Sequence, residues 1–127
     1  MTNILMHIGL SVTEKDFEVF YKGVLDGKVI NTFELSNEEA HLIFDIKKDV
    51  KILLMSCDNI VFELFIENEP RTPTFAHVCF QSEQAKEIVE KAKQKGYRTY
   101  TRNNKTTETY FICDANFNLF EIKTKVN

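Results

Sequence analysis

Two histidines and two glutamates occupy positions in apolar segments where chemistry explains them better than packing. His7 and His77 each sit in a run that alternates with apolar residues, and Glu63 and Glu121 each follow a phenylalanine and precede an aliphatic residue. An unpaired carboxylate among such neighbours costs several kcal/mol, so each glutamate needs a cation. Lys123 is a candidate ion-pair partner for Glu121, whereas Glu63 has no such neighbour. Imidazoles and carboxylates together form a donor set for one divalent metal ion (Ni, Zn, Co, Mn or Fe), with water or substrate in the remaining positions.

The elements that carry these residues recur along the chain, which predicts two tandem βαβββ modules within a single domain, residues 1–127. In the first module, residues 1–66, a helix starts after Thr13 and ends at Asp26-Gly27. Its strands are predicted at Ile4–Val12, Val29–Leu35, Ala40–Asp45 and, folded at a turn at Asp58-Asn59, Lys51–Ile66.

A proline-containing stretch, residues 67–74, separates the two modules and is predicted to be a linker because proline cannot donate to a strand ladder. In the second module, residues 75–127, Ser82 is predicted to cap a helix that ends at Gly96. A mobile loop is expected over residues 103–107. The strands are predicted at Phe75–Phe80, Tyr97–Arg102, Glu108–Cys113 and Asn118–Lys123.

Composition narrows the class of protein. The chain has 127 residues, 43% hydrophobic and 28% charged, as is usual for a soluble globular domain. The net charge of −3 argues against nucleic acid as a partner, and no apolar run is long enough to span a membrane. Three cysteines without C-x-x-C spacing, and an N-terminus unlike a signal peptide, predict a cytoplasmic protein with reduced thiols.

Five segments, taken in order, resemble the vicinal oxygen chelate superfamily, and within it most closely the lactoylglutathione lyase (glyoxalase I) family. The resemblance covers essentially the whole chain. The last segment is similar to the family pattern Asp-Pro-Asp-Gly-Asn-x-x-Glu-Leu, with the proline, the second aspartate and the glycine replaced. The segments are Met6–Val12, Phe20–Gly27, Val61–Leu64, Ala76–Phe80 and Asp114–Ile122.

The resemblance implies a fold and a reaction class. The fold is α+β: a curved, barrel-like, eight-stranded mixed sheet with helices on its convex face. His7, Glu63, His77 and Glu121 become the four ligands of one metal ion, which acts as a Lewis acid on two adjacent substrate oxygens and stabilises an enediolate. Glu121 is the expected catalytic base and Glu63 the second choice. The family also implies a head-to-tail homodimer whose sites combine His7 and Glu63 of one subunit with His77 and Glu121 of the other.

Two departures weaken the case for glutathione as the thiol. Ser11 stands where the glutathione-using lyases carry an arginine, and Glu67 stands where they carry an asparagine. The candidate replacement cations are Arg71, Arg102 and Lys105.

Other functions of the same scaffold remain open. Methylmalonyl-CoA epimerases have glutamine in place of Glu63, extradiol dioxygenases bind iron through two histidines and one carboxylate, and fosfomycin-modifying enzymes lack the first glutamate. Drug-binding relatives, such as those that sequester bleomycin, lack the metal-ligating residues and bind the drug in grooves lined by aromatic side chains. The four-residue set favours lyase or isomerase chemistry over these alternatives. His41 is expected to be a surface or structural residue, and Cys79, on the strand face of His77, a small buried residue that fills space.

Overall fold

The structure, a computed structural model, describes residues 2–103 and 108–124. Its first helix, α1, starts with one α-helical turn at Glu14–Asp16 and continues as a π-helix at Phe17–Lys22. The other helices are α2 (Asn37–Phe44) and α3 (Ala85–Gln94). The strands are β1 (Ile8–Val12), β2 (Lys28–Leu35), β3 (Val50–Cys57), β4 (Ile60–Ile66), β5 (His77–Gln81), β6 (Arg98–Asn103), β7 (Glu108–Cys113) and β8 (Leu119–Lys123).

The strands form two sheets with the same topology. Sheet A has the order β1-β4-β3-β2, and sheet B has the order β5-β8-β7-β6. In each sheet the first strand pairs in parallel with the last, and the other pairs are antiparallel. The expectation of a single eight-stranded, barrel-like sheet is therefore wrong, although the α+β class and the eight strands are confirmed. The described strands form no ladder between the two sheets, and β1 and β5 are edge strands.

The two sheets share one hydrophobic core, which lies on the faces covered by α1 and α3. The ring centroids of Phe62 in sheet A and Phe120 in sheet B are 5.8 Å apart, and Phe20 of α1 lies 5.6 Å from Phe120. From α3, Ala85 and Val89 are buried in the same cluster. Side-chain packing rather than strand pairing thus joins the halves of the chain.

A network of buried polar groups crosses this junction. The Tyr21 hydroxyl donates to Asp114 Oδ2 at 2.7 Å, while Asp16 Oδ2 accepts from the backbone N–H of Ala115 at 2.6 Å. The Tyr97 hydroxyl also donates to Asp16, at 2.6 Å. Burial, followed by the neighbouring Asp114 carboxylate, raises the pKa of Tyr21 well above its usual value. The phenol therefore stays protonated and remains a donor to the carboxylate.

The segment Ala40–Asp45, predicted to be a strand, instead belongs to helix α2. Ser36 caps this helix by accepting from the backbone N–H of Glu39 at 3.2 Å, and Asp45 ends it in the left-handed conformation at φ 59°. A short apolar run has no clear periodicity, so its capping residues determine its structure. Phe44 packs on Phe65 of β4 with ring centroids 5.2 Å apart. That contact lies on the face of sheet A opposite α1, so the prediction that all helices lie on one face holds only for α1 and α3.

Smaller differences concern the ends of elements. β1 begins at Ile8 rather than Ile4, and the preceding side chains are highly exposed, Ile4 at 77%. Ser82 accepts from the N–H of Gln84, the residue that precedes α3, and so is not the helix cap itself. Gly96 ends α3 at φ 85°, as predicted. Residues 104–107 of the predicted loop lie outside the described residues. No helix in the described ranges is long and apolar enough to cross a membrane.

The buried junction gives a stability prediction. Tyr21→Phe removes one hydrogen bond to the buried Asp114 carboxylate, whose Oδ2 then accepts only from Asn118 Nδ2, and losing this bond to a charged group should cost about 2 kcal/mol in free energy of unfolding. Tyr100→Phe is the matched control, because Tyr100 is 65% exposed, and should change the free energy of unfolding by less than ~0.5 kcal/mol. Urea denaturation measures both, and equal values for the two variants would contradict the role given to the junction.

Candidate metal centre

Each sheet has a helix face, covered by α1 or α3, and an opposite face that we call the open face. Strand neighbours in register share a face, because successive side chains along a strand alternate. Glu63 pairs with Gly9 of β1, and Glu121 pairs with Cys79 of β5, while their neighbours Phe62 and Phe120 point into the core. Both glutamates therefore lie on open faces, one strand away from the free edge of their sheet.

On the open face of sheet A, His7 lies beside Glu63. His7 Nε2 is 3.5 Å from Glu63 Oε1, with the histidine side chain 43% exposed and the glutamate 19% exposed. Glu63 is thus half-buried rather than fully buried as its apolar neighbours suggested. His7 stands immediately before β1, whose first ladder pair is Ile8 with Phe62. The edge strand and its parallel neighbour bring these two side chains together.

Sheet B repeats this arrangement with an additional cation. His77 Nε2 is 3.2 Å from Glu121 Oε1, and Lys123 Nζ is 3.2 Å from the other carboxylate oxygen of Glu121. The ion pair with Lys123, which the sequence allowed, is therefore present. The other ring nitrogen, Nδ1 of His77, lies 2.9 Å from the carbonyl oxygen of Phe75.

The contact with the Phe75 carbonyl determines which nitrogen of the His77 ring carries the proton. A carbonyl oxygen only accepts hydrogen bonds, so Nδ1 of His77 donates, and in the neutral ring Nε2 keeps its lone pair. That lone pair faces a carboxylate oxygen of Glu121, and two acceptors at this distance need a cation between them. A ring proton or a metal ion meets this need. Metal-ligating histidines usually donate their second N–H in this way, and donors about 2.1 Å from a metal lie about 3 Å apart, so the pair fits a metal ion.

The four predicted ligands form two separate pairs within one chain. Across residues 2–103 and 108–124, no three His, Cys, Asp or Glu side chains gather closely enough to hold a metal ion. Each sheet thus supplies one imidazole and one carboxylate, which is half of the predicted donor set. A complete set requires the open faces of two sheets to meet.

A cavity of about 480 Å³ lies between the two halves of the chain, beside the His77 end of β5. Its wall includes both Ser11 and Glu67, the two residues that replace expected glutathione contacts. Lys48 Nζ lies 2.7 Å from Glu67 Oε1, and this hydrogen bond raises the pKa of the Lys48 ammonium group. Arg71 also lines the cavity. Helix α2, which sequence reasoning missed, supplies part of the apolar wall; the Ser36 capping signal was the clue in the sequence.

Two other side chains were assigned minor roles from the sequence. His41 is exposed and lies 3.8 Å from Asp45, which confirms it as a surface residue. Cys79, expected to be a buried filler, is instead exposed on the open face. Desolvation, followed by the negative charge of Glu121, raises the pKa of its thiol. Lys105 lies outside the described residues.

Comparison with known proteins establishes the fold. No protein-family model and no curated protein matches the chain. Among solved structures, the fosfomycin resistance protein FosX from Listeria monocytogenes superposes with a TM-score of 0.74 at 19% identity, covering 98% of this chain and 95% of that one. FosX from Mesorhizobium loti gives 0.70 at 15% identity, covering 98% and 94%. A glyoxalase family protein from Enterococcus faecalis gives 0.68 at 18%, covering 94% and 96%.

These similar structures are members of the vicinal oxygen chelate superfamily, so the resemblance seen in the sequence is confirmed at the level of the fold. The Listeria protein has also been crystallised with Mn(II) and sulfate, and a mutant of it with Mn(II) and 1S,2S-dihydroxypropylphosphonic acid. Divalent metal binding therefore occurs on this fold in a protein of similar length.

The exposure of Cys79 leads to a prediction about thiol reactivity. Cys113 is buried, and burial followed by the charge of Asp58 raises the pKa of the Cys57 thiol to about 12, so neither should react readily in the folded protein. The raised pKa of Cys79 also slows its reaction relative to a free thiol, but its exposure should make it the one thiol per chain that reacts with Ellman's reagent faster than the other two, and all three should react after unfolding in guanidinium. Cys79→Ser should remove the fast phase, and its persistence in this variant would contradict the exposed position of Cys79.

Proposed function

We propose that this protein is a divalent-metal enzyme of the vicinal oxygen chelate type, with a lyase or isomerase activity on a small α-oxo hemithioacetal or a related substrate. The observation that carries the proposal is the paired geometry of His77 with Glu121 and His7 with Glu63, at 3.2 and 3.5 Å. Each pair holds two donors at the separation found around one metal ion. A purely drug-binding module would not need this donor set on both sheets.

The active site is proposed to form between two chains arranged head to tail. Each chain holds half of the donor set on each of its two open faces, and each pair lies next to an edge strand, β1 or β5. A two-fold axis that brings β1 of one chain to β5 of the other completes two identical sites. Each site then combines His7 and Glu63 with His77 and Glu121 of the partner subunit.

In the proposed reaction the cation and the carboxylates have different roles. When bound, a divalent ion polarises adjacent oxygens of the substrate and so acidifies the neighbouring C–H bond. Glu121 removes the proton from carbon and returns it to the adjacent carbon, with Glu63 as the second choice for this base. Lys123, 3.2 Å from Glu121, orients that carboxylate before the substrate enters.

Mixing two inactive variants tests the shared site. His7→Gln and His77→Gln should each be inactive alone, because every shared site then lacks one imidazole. After co-refolding equal amounts, half of the dimers are mixed and each has one intact site, so activity should recover to about a quarter of wild type. Recovery is measured as metal-dependent turnover of the best substrate and as tightly bound metal per chain.

The matched control mixes His7→Gln with Glu63→Gln, two variants altered on the same sheet. No arrangement of these chains creates an intact shared site, so no recovery is expected. If the His7→Gln and His77→Gln mixture also stays inactive while both variants fold and dimerise, a site shared between subunits is excluded.

Metal binding distinguishes ligands from structural ion pairs. Glu121→Gln should weaken Zn(II) or Ni(II) affinity by at least about tenfold, since a carboxylate ligand is lost. The same change should cost less than ~1 kcal/mol of stability, because the ion pair with Lys123 is partly exposed. Competition titration with a chromophoric chelator gives the affinity. Unchanged metal affinity, together with a loss of stability, would assign Glu121 a structural role only.

A second candidate follows from the similarity to the two FosX proteins. On this reading, the metal-loaded protein opens an epoxide that bears a phosphonate. Assays with methylglyoxal and a panel of thiols, followed by ultraviolet absorbance of the thioester, should be run beside assays with fosfomycin, followed by ³¹P NMR. Thioester formation supports the lyase, and diol formation supports the hydrolase. If protein that carries one metal ion per chain converts neither the hemithioacetals nor fosfomycin, both proposed activities are excluded for these substrates.

A further inference from the structure

We propose that the open face of sheet B contains an oxyanion subsite, formed by Arg98 and Arg102 around the aromatic side chains of Tyr100 and Phe111. It would bind a carboxylate or phosphonate at the end of the substrate remote from the reacting atoms. This inference rests on the proposed function for the position of the reacting end. The subsite itself consists of residues of β6 and β7.

The strand registers place these residues in rows across one face. One row runs from Arg98 through Cys113 and Leu119 to His77. The next runs from Tyr100 through Phe111 and Glu121 to Cys79, and the third from Arg102 through Thr109 and Lys123 to Gln81. The candidate ligands and the arginines therefore share one face of one sheet.

The charged side chains on this face give it a net positive charge. In these three rows, basic side chains stand at Arg98, Arg102 and Lys123, and Glu121 is the only acidic residue. Glu121 is already paired with Lys123, whereas neither arginine forms an ion pair with any described residue. Both arginines sit within a strand rather than in a loop. Planar guanidinium groups bind carboxylates and phosphonates through paired hydrogen bonds.

The site also has room for an apolar linker. A pocket of about 480 Å³ is lined by Arg98, Tyr100, Arg102, Phe111 and Leu119, among others. The rings of Tyr100 and Phe111 lie 6.2 Å apart and tilted, and Tyr100 is 65% exposed. Leu119, the register partner of His77, borders the pocket on the side of the candidate metal centre. A ligand thus meets apolar surface between its two polar ends.

The distance between the two ends follows from the sheet. Tyr100 lies two strands from Glu121 in the same row, and neighbouring strands are about 4.8 Å apart, so the separation is roughly 10 Å. A three-carbon substrate does not span this distance. The geometry therefore favours a longer substrate, such as the adduct of a small carbonyl compound with a carrier that bears an anionic group.

Sheet A does not offer the same surface. The corresponding rows contain Asn31 and Leu54 beside Glu63, and Phe33 and Ile52 beside Phe65. The one basic residue in register on that face is Lys28, at the start of edge strand β2. The two halves of the chain thus repeat the donor pair without repeating the arginines.

The test uses three probes that share a carbon skeleton: hexanoate, hexylphosphonate and the neutral hexanamide. Binding is measured on the full chain without added metal, from ¹H–¹⁵N chemical-shift changes during titration. We expect an anionic probe to bind about fivefold or more tightly than hexanamide and to shift the amide signals of β6 and β7. The head group that binds more tightly identifies a carboxylate or a phosphonate as the ligand.

Variants locate the binding site. Arg102→Gln and, separately, Arg98→Gln should each reduce the affinity for the anionic probe about fivefold, whereas Lys86→Gln, the same charge change on α3, should not. A well-dispersed spectrum confirms that each variant is folded, and the second arginine variant replaces the first if that one does not fold. Equal binding of all three probes, absence of binding, or unchanged affinity in the arginine variants would overturn the subsite. Because no metal is added, such a result is distinct from a failure of the proposed enzyme activity.

Discussion

The structure depends on the buried carboxylates at the junction between the two sheets. Asp16 is 1% exposed and Asp114 is 4% exposed, and both accept hydrogen bonds from groups that belong to other parts of the chain. Buried carboxylates are tolerated only when donors satisfy them, so the tyrosine hydroxyls and loop amides must meet them in one geometry. Burial raises the pKa of Asp114, while its hydrogen bonds to Asn118 and Tyr21 oppose that shift. The network therefore fixes how one sheet lies against the other.

That fixed arrangement leaves the two donor pairs on separate open faces. Apolar residues of both sheets, such as Leu64 and Ile122, are fully buried at the shared core, and the glutamates next to them in sequence must point away from it. A strand alternates its side chains, so burying one set of residues exposes the next. The half-sites are therefore a direct consequence of core packing. The proposed site is therefore completed by a second chain rather than by rearrangement within one chain, because the junction that would have to open is fully buried.

The periodic segments of the sequence predicted most of this fold, because their pattern reflects burial. The apolar stripe of α3 and the hairpin at Asp58-Asn59 are where the sequence placed them. The segment Ala40–Asp45 was predicted wrongly, because six residues of which four are apolar are compatible with either a strand or a short helix, and the Ser36 cap determines the helix. The pairing of each histidine with its glutamate was predictable from repeat phase. The row that joins Glu121 to Tyr100 was not, because it depends on the registers of two antiparallel ladders.

The repeated metal-binding residues require the two sheets to be alike, whereas binding of an asymmetric substrate requires them to differ. A shared metal site needs the same donors from each half, and both sheets retain an imidazole and a carboxylate at equivalent places. A substrate with different ends needs halves that differ, and here the difference is in charge. Sheet B carries two arginines on its open face that form no ion pair with any described residue. Helix α2 instead covers part of the open face of sheet A, where Ile52 is 2% exposed. In a head-to-tail dimer every site receives one face of each kind, so an asymmetric substrate has one preferred orientation at both sites.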